Sequence, residues 1–301
     1  MRLRQIEVFH AVYSNGSISA AAHALSVSQP SVSKVLRHTE VQLGLTLFQL
    51  SRGRLVPTDE AHALFREVDD AMRRIDSLRQ TVRNLAGVGA GHLRLGVVPS
   101  LGLDVVPAAV AEFRSRHGGV TFSVQTLHHN DMLRSLYERE CDLAFGYDPL
   151  PHPRLAMRKL SSAELRIIAP KGTFDPRRTS LTLTELQGHD MVGVATSGPI
   201  GALAAAALVR AGVAVREIAS VGTYYVAAGL VRFGCGVSMV DEFTAHTLDA
   251  GCVDVFGISP PLTYGVHAAW LQDRPLSVLG TRFVKCVERV IRSRVRRAAS
   301  V

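Results

Sequence analysis

The segment 58–85 constrains the fold most, because it is the most regular stretch of the chain and contains neither glycine nor proline. Its apolar residues occupy two positions in every seven: Ala61, Val68, Ile75 and Val82 in one set, and Leu64, Ala71, Leu78 and Leu85 in the other. This narrow stripe is typical of a two-stranded coiled coil. The alternative, an amphipathic helix packed on its own domain, needs a wider stripe. The segment therefore predicts a long dimerisation helix.

Three short helices are predicted ahead of this segment. Apolar residues recur with helical spacing in 3–13, and Ser17 offers a hydroxyl cap to an alanine-rich second helix at 18–25. After a short turn, Ser28 is expected to cap a third helix, which carries Pro30 in its first turn, where the missing proline N–H costs nothing. Two short helices joined by a tight turn make a helix-turn-helix candidate.

The polar side chains of the third helix suit DNA recognition. The apolar positions face inward and leave the following residues on the other faces: Gln29, Ser31, Ser33, Lys34, Arg37 and His38. Glutamine pairs with adenine, lysine and arginine pair with guanine or phosphate, and serine pairs with either. A helical hairpin with a solvated polar face explains the pattern equally well. The hairpin-like segment 45–58 carries Arg52 and Arg54 in its turn, where a basic wing would touch phosphates or a minor groove.

The stretch SISAAAHALSVSQPSVSKVLRHTEVQLGLTLF resembles the N-terminal winged helix-turn-helix of LysR-type transcriptional regulators. The shared motifs are Ser-x-x-x-Ala-Ala, Leu-x-x-Ser-Gln-Pro-x-Val-Ser and Glu-x-x-Leu-Gly-x-x-Leu-Phe. The resemblance extends over the whole chain and implies that DNA is contacted by Gln29, Pro30, Ser31, Ser33, Lys34 and Arg37 of the third helix and by Arg52 and Arg54 of the wing. The sequence departs from the family pattern at Leu50, Thr39 and Ala61, where arginine, leucine and glycine are usual.

The overall charge of the chain says little about whether it binds nucleic acid. The formal net charge is +8, but 282–301 contributes +6 of it, so the rest of the chain is nearly neutral. The C-terminal helix predicted at 279–297 docks on the body through Phe283, Val287, Val290 and Ile291. Its outward charges favour a solvated tail over a DNA contact.

The four cysteines are far apart and lack metal-ligand spacing, which favours buried free thiols in a reducing cytosol over a zinc site or a redox dithiol. Polar residues interrupt any apolar core at the N-terminus, so no secretory signal is predicted. The uncharged stretch 191–209 contains Thr196, Ser197, Gly198 and Pro199, so a strand, a turn and a helix explain it better than a membrane span. A cytoplasmic protein without membrane contact is predicted.

Beyond 87–91, where three glycines interrupt the long helix, strands and helices alternate as expected of a parallel sheet covered on both faces. Two similar α/β halves predict a two-lobed body with a cleft, and the LysR resemblance implies likeness to periplasmic solute-binding proteins. The fold class is therefore mixed: an all-α winged helix-turn-helix, a long linker helix and a two-lobed α/β effector domain. The predicted boundaries are 1–58 for the DNA-binding domain, 59–87 for the linker helix and 88–301 for the effector domain. Lobe I covers about 92–162 and 268–301, and lobe II covers about 163–267.

Ligands of such sheets lie beyond the carboxyl ends of the strands, where helix N-termini present free N–H groups to anions. Reading off those ends predicts an effector site formed by Ser100, Leu101, His128, His129, Thr196, Ser197, Gly198 and Tyr224. Hydroxyl-bearing helix starts on both sides of a cleft favour a carboxylate ligand. For each residue taken singly, a purely structural role as a helix cap is favoured over effector binding. For Ser100 and Thr196, the family resemblance favours effector binding.

Asp241 follows the apolar run 237–240 at a predicted strand end, where the LysR family commonly has apolar residues and proline. A carboxylate there suits a cationic or amino group. The surrounding sequence resembles members that regulate lysine synthesis or the use of opines and basic amino acids. We therefore expect an amino-acid-like effector, with its carboxylate on Ser100 and Thr196 or Ser197 and its amino group toward Asp241. Alternatively, Asp241 only caps the helix at 243–248.

No nucleophile with a catalytic partner is present, and the adjacent His128 and His129 have no triad or metal partner at a suitable spacing, so no enzymatic activity, cofactor or metal is predicted. The sequence predicts a regulator that binds an inverted repeat in double-stranded DNA and senses a small molecule. The family resemblance implies dimers through the linker helices, tetramers through the effector domains and RNA polymerase as a further partner. Two rivals stay open: a cytosolic solute-binding or enzymatic α/β protein dimerised by its N-terminal helices, and a nonspecific architectural DNA binder.

Overall fold

The computed structural model describes residues 1–51, 53–85, 90–194 and 196–298. The chain divides into two compact units, Met1–Thr81 and Val82–Val301. Each unit has its own hydrophobic core. Among the described residues, no helix combines the length and the apolar character that a membrane crossing requires.

The first unit contains three short helices, a hairpin and most of a long helix. These elements are α1 (Leu3–Asn15), α2 (Ile18–Ala24), α3 (Gln29–Leu43), β1 (Phe48–Ser51), β2 (Arg54–Pro57) and α4 (Asp59–Leu85). Ser17 caps α2 as predicted, accepting a hydrogen bond from the Ala20 N–H at 3.1 Å. Ser28 occupies the N-cap of α3 but makes no side-chain hydrogen bond to it, contrary to expectation. The antiparallel pairing of β1 with β2 completes the predicted winged helix-turn-helix.

The first half of α4 packs on its own unit. Ala61 and Val68 are buried in the core of this unit, and the ring of Phe65 stacks on that of Tyr13 with 3.8 Å between centroids. Farther along the same stripe, Leu78 is 63% exposed and Val82 is 58% exposed. The prediction that the whole stripe faces a partner helix is therefore wrong for its first half, where the alternative of intradomain packing applies.

The second unit is a two-lobed α/β structure, as predicted. Its elements are β3 (Ala90–Val97), α5 (Pro99–Leu103), α6 (Val105–Arg116), β4 (Gly119–Thr126), α7 (Met132–Tyr137), β5 (Leu143–Tyr147), β6 (Leu155–Pro170), β7 (Ser180–Leu181), β8 (Asp190–Gly193), α8 (Pro199–Arg210), β9 (Arg216–Ser220), α9 (Tyr224–Arg232), β10 (Ser238–Asp241), α10 (Glu242–Ala245), β11 (Val253–Ile258), β12 (Thr263–Leu271) and α11 (Val278–Ala298). Short 3-10 turns at His129–Asp131 and Leu183–Leu186 complete it.

The main sheet has the strand order β4-β3-β5-β12-β6-β11-β7, and β10 also pairs with β6. Strand β3 runs parallel to β4 and β5, whereas β12 runs antiparallel to both β5 and β6. The expectation of a purely parallel sheet is therefore wrong at its centre. A run of apolar residues indicates burial but not strand direction, because buried strands of either direction are apolar.

Strand β6 belongs to both lobes. Its residues 155–164 pair with β12, and its residues 165–170 pair with β10 and β11. The separate parallel pair β8–β9 lies beside β10, through a bridge between Met191 and Val237. Strand β6 is thus one long strand that crosses from lobe to lobe.

Helix α11 closes the second unit. Phe283, Val287 and Ile291 are fully buried, as their spacing predicted, and the Phe283 ring lies 5.0 Å from that of Phe122. On another face of the helix, the Arg294 guanidinium donates to both carboxylate oxygens of Asp104 at 2.5 and 2.8 Å. One side of α11 therefore supports the core while another carries charge.

Candidate functional site

Helix α3 separates a buried apolar face from an exposed polar face. Val32 and Leu36 are buried, whereas five of the predicted DNA-binding residues are exposed and the sixth, Ser33, is half-buried. The exposed five are Gln29, Pro30, Ser31, Lys34 and Arg37. The Ser19 hydroxyl of α2 donates to the Gln29 side-chain oxygen at 3.1 Å, so α2 orients this amide. The polar face of α3 is thus available to a groove of DNA.

The wing next to α3 is tied to it by Glu40. One carboxylate oxygen of Glu40 accepts hydrogen bonds from the backbone N–H groups of Leu47 at 2.8 Å and Phe48 at 3.1 Å. Arg54, the first residue of β2, is exposed, whereas Arg52 lies outside the described residues. Glu40 is the first residue of the Glu-x-x-Leu-Gly motif, and no role was predicted for its side chain.

The three departures from the family pattern have different surroundings. Leu50 is 78% exposed on the wing, where it places an apolar side chain instead of the usual arginine. Thr39 is buried, and its hydroxyl donates to the Val35 carbonyl at 2.8 Å, which satisfies it within α3. Ala61 is completely buried.

We expect Glu40→Ala to weaken both the wing and DNA binding. The change leaves the N–H groups of Leu47 and Phe48 without their acceptor, at a cost of about 1–3 kcal/mol for each buried group. Urea unfolding and operator affinity measure the two effects. Glu40→Gln, which keeps an acceptor oxygen, should recover most of both, and an unchanged stability in Glu40→Ala would contradict this account.

A cavity of about 60 Å³ lies between the lobes of the second unit. Seven of the nine predicted effector residues line it: Ser100, His128, His129, Thr196, Ser197, Gly198 and Tyr224. Leu101 is instead fully buried in the hydrophobic core. Asn130, Tyr147 and Thr223 are among the lining residues that the prediction did not include.

The loop that leads into α8 forms one wall of the cavity. Gly198 has a φ of +83°, and a Cβ there would stand 3.0 Å from the His129 Cβ of the other lobe, so only glycine fits. The Thr196 and Ser197 hydroxyls both donate to the Val221 carbonyl, at 3.3 and 3.1 Å. These bonds fix the loop so that the N-terminal ends of α8 and α9 border the same cavity.

The two adjacent histidines differ in burial. His128 is exposed and His129 is half-buried, and burial lowers the pKa of His129 below its ordinary value. The His129 Nδ1 has no hydrogen-bond partner among the described residues. Within the same residues no cluster of three potential metal ligands occurs. Cys141 and Cys286 are buried as predicted, whereas Cys252 is exposed.

Asp241 lies behind the cavity wall, not on it. Its side chain is fully buried and caps α10, accepting from the backbone N–H groups of Phe243 and Thr244 at 3.0 Å each. The Tyr147 hydroxyl donates to the same carboxylate at 3.1 Å and lies 2.8 Å from the Ser100 hydroxyl. The predicted direct approach of an amino group to Asp241 is therefore not what this geometry offers. The alternative, a helix cap, describes its contacts, and Tyr147 stands between Asp241 and the cavity.

A winged helix-turn-helix with an exposed basic face, together with a two-lobed domain that holds a cavity, defines a DNA-binding regulator controlled by a small molecule. The family model of the bacterial regulatory helix-turn-helix protein, lysR family, matches residues 3–62, and that of the LysR substrate binding domain matches residues 86–292. The chain belongs to the LysR family of transcriptional regulators. It is a DNA-binding regulator and not an enzyme, which excludes the rival α/β enzyme or solute-binding protein.

Known relatives are similar over nearly the whole chain. The HTH-type transcriptional regulator DgcR of Pseudoalteromonas sp is 42% identical over 92% of this chain and 95% of its own. The transcriptional activator protein LysR of Escherichia coli (strain K12) is 29% identical over 94% and 91%. The fold is also that of full-length CbnR, solved in complex with its target DNA, with a TM-score of 0.68, 18% identity and coverage of 96% and 99%.

Proposed function

We propose that this regulator senses a small, amino-acid-like carboxylate in the cavity of the Val82–Val301 unit. One observation carries the proposal: both lobes contribute hydroxyl groups and helix starts to the cavity, and among the described residues that line it there is no Asp, Glu, Lys or Arg. Helix N-termini favour anions through their free N–H groups and dipoles. The resemblance around Asp241 to regulators of lysine, opine and basic amino-acid use supports an amino-acid derivative in particular.

The proposed control rests on coupling between the two lobes. An effector that touches Ser100 on one lobe and Thr196 on the other stabilises the arrangement in which both walls reach it. A ligand alters an equilibrium only through its different affinity for the two states. Effector binding therefore changes DNA binding only if lobe arrangement and assembly geometry are linked.

The proposed assembly is a dimer through the second half of α4, with tetramers formed by the effector domains. Leu78 and Val82 present apolar surface on this half, which a second helix would cover. Two winged helices in a dimer suit an inverted repeat in double-stranded DNA, because the operator then mirrors the protein symmetry. We place this activity in the cytoplasm, with RNA polymerase as a further partner.

A nuclease footprint tests the proposal. The full-length protein is added to the intergenic DNA upstream of its own gene, at near-physiological salt with competitor DNA, with and without each of the standard amino acids. Protection of a discrete inverted repeat that changes in length or affinity with one amino acid supports it. Diffuse protection would favour an architectural DNA binder, and a discrete footprint unaffected by every amino acid would overturn the effector class.

We expect Gly198→Ala to abolish the effector response while operator binding persists. The backbone at φ +83° strains any side chain, at about 1–3 kcal/mol, and the new methyl group would press on His129 across the cavity. The amino-acid dependence of the footprint measures this loss. Gly229→Ala is the matched control, because a Cβ there meets nothing within 4 Å and α9 continues through it, so it should respond as wild type does.

A further inference from the structure

The Asp241 carboxylate gathers four hydrogen-bond donors. Besides the two backbone N–H groups and the Tyr147 hydroxyl, the Thr244 hydroxyl donates to its second oxygen at 2.6 Å. Burial raises the pKa of Asp241, and the hydrogen bonds from Thr244 and Tyr147 oppose this rise. In all four contacts the carboxylate is the acceptor, and no cation is among the donors.

The Tyr147 hydroxyl has one proton, and this geometry directs that proton into the hydrogen bond to Asp241. Burial raises the pKa of Tyr147 well above its ordinary value, and the Asp241 charge raises it further, so the phenol stays protonated. A phenol donates one hydrogen bond and accepts through its oxygen. Because its proton is directed to the carboxylate, Tyr147 faces Ser100 only as an acceptor.

The direction of the remaining hydrogen bond follows. The Ser100 and Tyr147 oxygens lie 2.8 Å apart, so one hydroxyl must donate to the other. Since the Tyr147 proton is used, Ser100 donates to Tyr147. The Ser100 oxygen, which borders the cavity, then has only lone pairs left for a ligand.

We propose that the hydrogen-bonded chain Ser100–Tyr147–Asp241 selects effectors that present a donor, above all an ammonium group, to the Ser100 wall of the cavity. The inference rests on the proposed function and assigns the two ends of the effector. The ammonium group lies at Ser100, two hydrogen bonds from the Asp241 charge, and the carboxylate lies at the α8 and α9 wall. This reverses the orientation that the sequence predicted, in which Ser100 binds the carboxylate. Asp241 and Tyr147 act as positioning residues through Ser100.

The test compares matched ligand pairs on the full-length protein. Each standard amino acid and its des-amino carboxylic acid, such as alanine and propanoate, are first screened by thermal shift. The dissociation constants of any pair that binds are then measured by calorimetry. In the wild type we expect the amino acid to bind at least tenfold more tightly than its des-amino partner, as one charge-assisted hydrogen bond implies.

Two substitutions remove the selection in different ways. Asp241→Asn deletes the charge but keeps a side chain that caps helices well, and Tyr147→Phe removes the link while keeping both the ring and the cap. In each variant the preference for the amino acid should fall about tenfold. In Tyr147→Phe the des-amino acid should also bind as well as before or better, because Ser100 loses its acceptor and becomes free to donate. If Asp241→Asn does not fold, Tyr147→Phe tests the same chain alone.

Tyr224→Phe is the matched control. The Tyr224 side chain also lines the cavity, but its hydroxyl does not belong to the hydrogen-bonded series Ser100–Tyr147–Asp241 and donates to the Ser197 carbonyl at 3.2 Å. It should change the affinity of both ligands alike. Two results would overturn the inference without contradicting the proposed carboxylate site. In the first, the wild type binds des-amino acids as tightly as amino acids; in the second, the preference for amino acids survives in both variants. If no ligand of the panel binds while the operator is still protected, the proposed effector class fails, and this inference fails with it.

Discussion

Replacing Lys34 and Arg37 together with alanine should lower operator affinity by roughly two orders of magnitude, because each lost base or phosphate contact costs about 1–3 kcal/mol. Both side chains are exposed on α3, on the face opposite to the buried Val32 and Leu36. Binding to labelled operator DNA, measured across a range of salt concentrations, gives the loss. The salt dependence should also become shallower, by about one unit of slope for each phosphate contact removed.

The control for this variant separates DNA contact from folding. Since exposed substitutions usually change stability by less than about 0.5 kcal/mol, the double variant should unfold at the wild-type urea concentration. Arg210→Ala removes an exposed arginine from α8 in the second unit and should leave operator affinity unchanged. Full operator affinity in the Lys34 and Arg37 variant would show that α3 is not the recognition helix.

Leu78→Asp should separate the dimer and with it remove high-affinity binding to an inverted repeat. Leu78 is 63% exposed on the half of the apolar stripe that its own unit does not cover. Burying a leucine side chain contributes about 1.5–3 kcal/mol. A symmetric dimer buries two copies of Leu78, one from each protomer, so the substitution removes this contribution twice. Sedimentation at several protein concentrations measures the dissociation constant of the dimer, which should rise at least a hundredfold.

Leu150→Asp provides the matched control for this change. Leu150 is 74% exposed in the loop after β5, so the same substitution adds the same charge at a position that does not belong to α4. This variant should sediment as the wild type does. Equal dissociation of both variants would indicate a general loss of stability, and a stable dimer in Leu78→Asp would exclude α4 as the dimerisation element.

Local patterns predicted the first unit more completely than the second. The periodicity of α1 to α4 is set by residues close in sequence, and the boundaries of α3 follow from Pro30 and Gly44. The strands β11 and β12 were not predicted, because their pairing depends on residues far along the chain. Strand β12, for example, lies between β5 and β6, more than a hundred residues from its first partner.

The rule that ligands lie beyond strand ends predicted most residues of the effector cavity, but it failed for residues at the last position of a strand. Residues that follow a strand, such as Ser100 and Thr196, reach the cavity as expected. Tyr147 was overlooked because it is the last residue of β5 and not the first residue after it. Asp241 ends β10, but as an N-cap its side chain turns back to the N–H groups of α10. Strand position alone does not distinguish these two orientations.

The continuous strand β6 limits how the lobes can move. Where it exchanges β12 for β10 and β11, the Glu242 carboxylate accepts from the Glu164 N–H at 3.2 Å and pairs with Arg166 at 2.7 Å. Sliding or separating the lobes would break strand hydrogen bonds on one side of this point, whereas small changes in a few backbone dihedral angles would not. We therefore expect the lobes to change only their angle about strand β6, so that the twist this strand tolerates limits how far an effector can turn one lobe against the other.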